Sequence, residues 1–514
     1  MTIKQKNVLL IVVDQWRGDT LKNLGHPVIQ TPHIEALASE GVTFAKHYTQ
    51  AVPCGPGRAS MLTGLYMMTH RAVQNTIPLD ARHTNIAKEV RKAGYQPALV
   101  GYTTTTPDPR ETAAEDPRFK VLGADMEGWH PVGSWGLDKE AYFAWLSAQG
   151  FPVPKKPNDI WLPQELTEAD IGATAKPSMV PAHLSDTTWF TDRALEYLQG
   201  TENKPWFLHL GYYRPHPPYS AAAPYHEMYD PKDCPSPIRA QSKDLEASQH
   251  PLLAYYLQSI ERRRFFENGQ GLGADMEEDE VRQMRATYYG LMSEVDHHIG
   301  RVFDYLKKTG QWDNTLIILT SDHGEQLGDH HLLGKIGYFD QSFHIPMIVR
   351  DPSPAADTTR GNIVRQFTET IDTMPTILSW LERPIPRTCD GHSLLPFVHS
   401  GVAPANWRTE VHYEFDFRNI YYSKPEQFLG LSMDQCALSV IQNDQYKYVH
   451  FAALPPLFFD LKKDPSQLHN VANDPSYTLE LLKMTQKMLD WKLLHADRTL
   501  TGYAATPDGL VFRQ

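Results

Sequence analysis

The residues around Cys54 combine three features that suit nucleophilic chemistry near an anion: a candidate nucleophile, a helix N-terminus and a cation. The stretch from Val52 to Gly64 reads VPCGPGRASMLTG. Pro56 suits the first turn of a helix and Gly64 its end, so Cys54 is predicted at a helix N-terminus, where free N–H groups attract anions. Arg58 follows four residues later, one turn on and on the same face. For these residues alone, a buried structural cysteine beside a surface arginine is the alternative interpretation.

Further polar residues follow the predicted buried strands. Continuous apolar runs predict strands over 7–13, 97–101, 206–212 and 315–320. Helical patterns lie between them, and this alternation predicts an α/β fold with a mostly parallel sheet flanked by helices. Such sheets carry their sites at the carboxyl ends of strands. The polar residues at those ends are Asp14, Gln15, Tyr102, Thr104, His216, Asp322 and His323.

The remaining pattern predicts a large catalytic domain and a smaller C-terminal subdomain. Residues 107–180 are rich in Pro, Gly, Trp and acidic groups and are predicted to form an insertion over the site. After about residue 400, short strands typical of an antiparallel sheet precede a helix over 479–494. We therefore expect an α/β domain over 1–400, and a small sheet, a helix and a tail over 401–514.

Composition limits the classes of partner. The chain has 514 residues, 41% hydrophobic and 21% charged, and a net charge of −12, as in an ordinary soluble enzyme. The charge disfavours nucleic acid and anionic membranes as partners but not a small anionic substrate, because local cations can invert the field at a site. Its four cysteines have neither the spacing of a metal site nor a disulfide pattern. The apolar run at 8–13 is too short for a membrane span or signal peptide. We therefore expect a cytoplasmic protein.

The motif Cys-x-Pro-x-Arg followed by Leu-Thr-Gly resembles the core signature of the type I sulfatases, within the alkaline phosphatase superfamily. The C-terminal pattern of Tyr-Lys-Tyr at 446–448, Asp-Leu at 460–461, Asp-Pro at 464–465 and Asn-Val-Ala at 470–472 is similar to the small subdomain of sulfatases. The resemblance runs from Asn7 to about His495. It implies that a formylglycine-generating enzyme oxidises Cys54 to formylglycine, whose hydrated aldehyde is the nucleophile.

The resemblance also implies a metal site. Asp14, Gln15, Asp322 and His323 match the family's ligand positions, and residue 54 completes the set. Carboxylate, amide and imidazole groups can bind a divalent cation, whereas a helix cap is the alternative role for either aspartate alone. Many sulfatases have Asp and Asn where this chain has Gln15 and His323. With one histidine and one fewer carboxylate, Mn²⁺ is favoured and Ca²⁺ is the alternative.

Three further residues match the family's anion-binding and proton-transfer positions. Arg58 would stabilise the oxyanion of residue 54. His216 and Lys335, the latter in Gly-Lys-Ile-Gly, would contact the non-bridging oxygens and protonate the leaving oxygen. Alone, His216 could be structural and Lys335 a solvated surface residue.

The substrate class is indicated by the residues after the second strand. Many arylsulfatases have Lys and His there, whereas this chain has Tyr102 and Thr104, which are neutral donors. The runs CGPGR, QNT, GYTT, GYYRPHPP and GDHHLLGK closely resemble the phosphonate monoester hydrolases, and Asn75 matches their additional active-site amide. That family cleaves phosphonate monoesters and phosphodiesters, and it tolerates sulfate monoesters.

Such a hydrolase, acting on a small anionic ester, is therefore the expected function. An arylsulfatase on the same scaffold and a catalytically inactive relative that binds metal and anions are the alternatives. Members of the family form tetramers through C-terminal extensions, so residues 496–514 are expected to form an interface arm in a homotetramer, with a frayed tail as the alternative.

Overall fold

A large mixed sheet carries the site. The computed structural model describes residues 6–121, 123–135, 139–201 and 204–513. The strands are β1 (Asn7–Val13), β2 (Val42–Tyr48), β3 (Ala51–Val52), β4 (Ala98–Gly101), β5 (His130–Ser134), β6 (Phe207–Tyr212), β7 (Thr315–Ser321), β8 (Met347–Arg350), β9 (Ile363–Glu369), β10 (Val411–Asp416), β11 (Ala437–Gln442), β12 (Tyr446–Phe451), β13 (Leu457–Asp460), β14 (Tyr503–Thr506) and β15 (Gly509–Phe512).

The large sheet has the order β5-β4-β6-β1-β7-β8-β2-β9. β1 pairs in parallel with β6 and β7, and β4 pairs in parallel with β5 and β6. β8 runs antiparallel to β7 and β2. The predicted α/β fold with a mostly parallel sheet is thereby confirmed.

Helices cover both faces of this sheet. The α-helices are α1 (Pro32–Glu40), α2 (Cys54–Thr63), α3 (Met67–His70), α4 (Ile86–Lys92), α5 (Glu140–Ala148), α6 (Asp186–Gln199), α7 (Lys243–Ala247), α8 (Pro251–Leu257), α9 (Glu278–Lys308), α10 (Asp340–Phe343), α11 (Thr373–Trp380), α12 (Leu395–Ser400), α13 (Lys424–Leu429) and α14 (Thr478–Leu494). None of the described helices is both long and apolar enough to span a bilayer.

Strand β1 shows why the first apolar run is continuous. Leu9 and Ile11 pack into one hydrophobic core with α1, α6 and α9, whereas Val8 and Leu10 pack into a second core with α2, α4, α11 and α12. Since successive side chains of a strand point to opposite faces, a strand covered on both sides needs apolar residues at every position. All seven residues of β1 are buried.

A smaller sheet lies beside the large one, with the order β13-β12-β11-β10-β3. Strands β10 to β13 pair antiparallel, and Met484, Met488 and Trp491 of α14 pack with this C-terminal part, which confirms the predicted small sheet and helix. The fifth strand, β3, comes from the N-terminal part of the chain and pairs in parallel with β10. Helix α2 begins two residues after β3, so Cys54 lies where the two sheets meet.

Some elements differ from the sequence-based expectation. Strands β2 and β9 were not predicted; β9 lies at a sheet edge, and its exposed Arg365 and Gln366 interrupt the apolar pattern. The segment 107–180, predicted as an insertion over the site, contributes β5 to the large sheet and also contains α5. β5 has the sequence HPVGS, which has no apolar run.

Candidate active site

Cys54 is the first residue of α2, as its sequence predicts. Gly64 ends the helix with a φ of 70°, a left-handed conformation that glycine adopts without strain. A Cβ at Gly57 would lie 2.6 Å from the carbonyl oxygen of Asp322, so only glycine allows the helix to approach the end of β7 this closely. The backbone N–H of Gly55 donates to Asn75 Oδ1 at 2.8 Å. The predicted active-site amide of Asn75 therefore lies at the N-terminus of the Cys54 helix.

Four buried groups meet beside this helix end. Ligand atoms of Asp14, Cys54, Asp322 and His323 all lie within 4.8 Å of one another. Cys54 Sγ is 3.1 Å from His323 Nε2 and 4.0 Å from Asp14 Oδ1. His323 Nδ1 is 3.0 Å from the carbonyl oxygen of Gly324, which favours a proton on Nδ1 and leaves the Nε2 lone pair facing the cluster. Two carboxylates and an imidazole lone pair that converge in this way fit a divalent cation.

Arg58 is fully buried between the two aspartates. Its Nε donates to Asp322 at 2.9 Å, and its Nη2 donates to Asp14 at 3.2 Å. Burial raises the pKa of Asp14, but His323, Arg58 and Lys335 outweigh it and hold this pKa below its ordinary value. Asp14 is therefore charged at neutral pH. A guanidinium held by two carboxylates has a fixed position, which suits a group that stabilises a nearby oxyanion.

Gln15 links this cluster to Lys335. It has a φ of 65°, an uncommon value for a residue other than glycine, and its N–H donates to Asp322 at 3.2 Å. Its side-chain Nε2 donates to Glu325, and its Oε1 accepts from Lys335 Nζ at 2.6 Å. The predicted metal-ligand oxygen of Gln15 thus lies against a lysine in this structure.

Lys335 and His216 form a pair at the edge of the site. Lys335 Nζ lies 2.7 Å from His216 Nε2. Burial and the adjacent ammonium group lower the pKa of His216 well below its ordinary value, so this imidazole is neutral at pH 7 and accepts the hydrogen bond. The two groups predicted to contact substrate oxygens therefore lie together, although 119 residues separate them in sequence.

Tyr102 and Thr104 follow β4, as predicted. The Tyr102 hydroxyl donates to Asp14 Oδ2 at 2.7 Å, and the Tyr102 ring centroid lies 4.4 Å from Arg58 Cζ. The carbonyl oxygen of Thr104 would lie 3.0 Å from a Cβ placed on Gly55. The side chain of Thr104 forms no hydrogen bond within the described parts of the chain. Both residues are thus near the start of the Cys54 helix, and Tyr102 is already engaged by Asp14.

Glu325 was not predicted from the sequence to belong to the site, but it positions two of its groups. It is fully buried and accepts hydrogen bonds from Gln15 and from the N–H groups of Leu327 and Gly334. Since Gly334 precedes Lys335, one carboxylate fixes both the Gln15 amide and the lysine loop. Its place directly after Ser-Asp-His-Gly was the available sequence signal.

Arg214 was also missed, although it lies within the run GYYRPHPP. Its Nη1 donates to the carbonyl oxygens of Pro218 at 2.7 Å and His216 at 3.2 Å. Its Nε is 3.3 Å from Asp186 Oδ2, and both side chains are buried. Arg214 therefore anchors the loop that carries His216 to α6.

Glu294 of α9 gives a prediction about stability. Its side chain is buried and its Oε1 has no hydrogen-bond partner among the described residues. Burial raises its pKa from 4.5 to about 7, so Glu294 ionises at a lower pH in the unfolded chain than in the folded protein. It therefore destabilises the fold progressively as the pH rises from 4.5 to 7. We expect Glu294→Gln to raise the free energy of unfolding at pH 8 by up to about 3 kcal/mol, with little gain near pH 4.5.

Urea denaturation at the two pH values measures this effect. Glu227→Gln, at an exposed glutamate, is the matched control and should show no such difference between them. Equal stabilisation by Glu294→Gln at both pH values would contradict the assignment of Glu294 as a buried acid with a raised pKa.

A cleft of about 770 Å³ opens from the site. Its lining includes Pro53, Asn75, His216 and Lys335. A ligand that contacts His216 and Lys335 would therefore extend into this cleft.

Comparisons with known proteins agree with this geometry. The profile of the Sulfatase family matches residues 6–382, and that of the N-sulphoglucosamine sulphohydrolase C-terminal region matches residues 328–493. The chain is 57% identical to the multifunctional alkaline phosphatase superfamily protein PehA of Trinickia caryophylli, over 99% of both chains.

Two solved structures superimpose over almost the whole chain. The phosphonate monoester hydrolase of Agrobacterium radiobacter has a TM-score of 0.95 and 39% identity, covering 99% of this chain and 100% of the other. The phosphonate monoester hydrolase of Silicibacter pomeroyi has a TM-score of 0.92 and 38% identity, covering 99% of each. With a family profile that spans most of its length, the chain belongs to the sulfatase family.

Proposed function

We propose that this protein hydrolyses phosphonate monoesters and phosphodiesters, and that it cleaves sulfate monoesters as secondary substrates. The observation that carries the proposal is that Tyr102 and Thr104, whose side chains are uncharged, lie near the start of the Cys54 helix. All three ester types present a single negative charge at the reacting centre, so charge alone does not separate them. A phosphonate monoester or phosphodiester has a second substituent, and the uncharged Tyr102 and Thr104 leave room for it near the start of the Cys54 helix.

We infer that residue 54 acts as formylglycine. Burial and the charge of Asp14 raise the pKa of the Cys54 thiol well above its ordinary value. A buried, protonated thiol is a poor nucleophile, whereas a hydrated aldehyde supplies one hydroxyl for attack and a second to expel the bound group. Membership of the sulfatase family supports this modification by a formylglycine-generating enzyme.

The residues that would hold a divalent cation, with Mn²⁺ favoured over Ca²⁺, are Asp14, Gln15, Asp322, His323 and residue 54. Such a cation supplies positive charge that lowers the pKa of a hydroxyl nucleophile. In the structure, Gln15 Oε1 accepts a hydrogen bond from Lys335 Nζ. Gln15 would therefore bind the cation only if its Oε1 gave up this hydrogen bond. Glu325 holds the amide nitrogen of Gln15 and so keeps the oxygen turned toward this region.

Charge on the substrate would be stabilised by two cations of the chain. Arg58, fixed by Asp14 and Asp322, faces the oxygen that attacks. Lys335 faces the non-bridging oxygens and donates to His216. Because His216 is neutral, we assign the proton for the leaving oxygen to the Lys335–His216 pair rather than to His216 alone.

The comparison of two esters with the same leaving group tests this function. We expect kcat/KM to be higher for the phenyl ester of a phosphonate than for phenyl sulfate, after each is divided by its uncatalysed rate. A higher value for phenyl sulfate would favour an arylsulfatase. Mass spectrometry of the peptide with residue 54 provides a second measurement, since a fully unmodified thiol in active enzyme would refute the formylglycine nucleophile.

We further propose a cytoplasmic homotetramer. The apolar residues Leu510, Val511 and Phe512 of the β14–β15 hairpin are exposed, as are Leu489 and Leu493 of α14. Contiguous exposed apolar residues support contact with another copy of the chain. Sedimentation analysis would measure the oligomeric state, and a monomer at micromolar concentration would contradict this assignment.

A further inference from the structure

The cleft has an aromatic wall that the proposed reaction chemistry does not use. The rings that line it are Tyr255, Tyr256, Phe265, Phe415, Phe417, Tyr421 and Tyr422. Tyr255 and Tyr256 belong to α8, and the last four lie at the end of β10 and in the segment before α13. The wall is therefore built largely by the C-terminal part of the chain.

The rings form a connected row. Ring centroids are 6.4 Å apart for Phe417 and Phe415, 6.4 Å for Phe415 and Tyr256, and 5.2 Å for Tyr256 and Tyr255. Rings at these separations are in contact and support one another. The row begins at the small sheet, which β3 joins directly to the Cys54 helix.

Two tyrosines that line the cleft are exposed despite their size. Tyr421 is 65% exposed and Tyr422 is 70% exposed. The Tyr421 hydroxyl lies 3.0 Å from Thr76 Oγ1, one residue after Asn75. The N–H of Tyr422 donates to Asn419 Oδ1 at 2.8 Å. The Tyr421 contact thus links this segment to the residue after Asn75, while both rings present open surface.

The cleft is also basic, although the chain carries a net charge of −12. Its charged lining comprises Arg264, Lys335, Arg418, Lys424 and Glu261. Arg418 pairs with Asp416 and Asp434. Neither Arg264 nor Lys424 has a carboxylate partner among the described residues, and Lys424 Nζ lies 5.7 Å from the Tyr422 ring centroid. Cations beside open aromatic rings favour a flat ligand with a negative charge.

We propose that this cleft binds the leaving group of the ester, and that the preferred leaving group is a flat aromatic ring with an anionic substituent. The inference rests on the proposed function, because the leaving oxygen is assigned to the Lys335–His216 pair and both residues line the cleft. The ring would stack on Tyr421 and Tyr422, and its anionic substituent would face Lys424.

Phenyl and trifluoroethyl esters of methylphosphonate test the aromatic contact. We expect the double variant Tyr421→Ala, Tyr422→Ala to lower kcat/KM for the phenyl ester about tenfold more than for the trifluoroethyl ester, since one ring stack contributes on this order. The intrinsic reactivity of each ester cancels when variant and wild type are compared. The matched control Tyr421→Phe, Tyr422→Phe keeps both rings and should retain the wild-type ratio of the two esters.

The charge contact is tested with 4-carboxyphenyl and 4-carbamoylphenyl esters. Lys424→Gln should lower the preference for the carboxylate about fivefold, as expected for a charge-assisted contact in a partly exposed site. A double alanine variant that affects phenyl and trifluoroethyl esters equally would overturn the ring subsite, and an unchanged carboxylate preference in Lys424→Gln would overturn the anionic substituent.

The same comparison with phenyl and trifluoroethyl sulfate separates this inference from the proposed function. If phosphonate esters are not turned over but the sulfate pair shows the tenfold effect, the proposed function fails and the subsite stands. If phosphonate esters are turned over and neither pair shows the effect, the proposed function stands and the subsite fails.

Discussion

Replacing Cys54 by alanine is expected to lower kcat by about 10⁴ or more, because it removes the group that would attack the ester. The remaining groups still bind substrate, so KM should change much less than kcat. The fold should survive, since Cys54 is a small side chain at the start of α2 and the loss of its sulfur should reduce stability by only about 1 kcal/mol. Initial rates and thermal unfolding of the same preparation measure both quantities.

Cys234 provides a matched control for this experiment. It is also a buried free thiol, and its Sγ forms a hydrogen bond only with the carbonyl oxygen of Asp230 among the described residues. Cys234→Ala should therefore keep wild-type rates. Near-wild-type turnover by Cys54→Ala would refute the nucleophile at position 54 and, with it, the proposed mechanism.

Removal of divalent cations should lower activity by at least about 10³, and Mn²⁺ should restore it. The physical reason is the charge of the cluster: Asp14 and Asp322 place two carboxylates beside a single buried guanidinium. Without a cation, repulsion between these carboxylates and an attacking oxygen anion is compensated only by the charges of Arg58 and Lys335. Rates after exhaustive chelation, followed by titration with Mn²⁺ and Ca²⁺, measure the effect and the preference between the two ions.

A readout independent of activity strengthens this test. An ion that binds only the folded protein stabilises it by about 2.7 kcal/mol at a concentration of 100 times its Kd. Mn²⁺ should therefore raise the Tm of the wild type, and Asp322→Asn should abolish this rise. Glu294→Gln also removes a buried carboxyl group, but Glu294 lies outside the cluster. The Tm of this variant should therefore still rise with Mn²⁺. Full activity in metal-free protein would contradict the metal role.

The sequence by itself determined the local features of this protein. The run of six apolar residues in β1, Val8 to Val13, required burial on both faces, and Pro56 and Gly64 defined the helix that begins with Cys54. Polar residues at strand ends indicated the candidate site because parallel strands end at one edge of a sheet. These features depend on periodicity, capping and burial, which act over a few neighbouring residues. The family resemblance then extended them to Asn75, His216 and Lys335.

The tertiary structure alone decided which distant groups touch. Lys335 contacts Gln15 across 320 residues and His216 across 119 residues. Glu325 and Arg214, which position these groups, were not predicted because their partners come from other parts of the chain. The same holds for β3, whose two residues join the Cys54 helix to the C-terminal sheet and its aromatic cleft. Strand order and side-chain packing set such contacts, and neither is encoded in a local pattern.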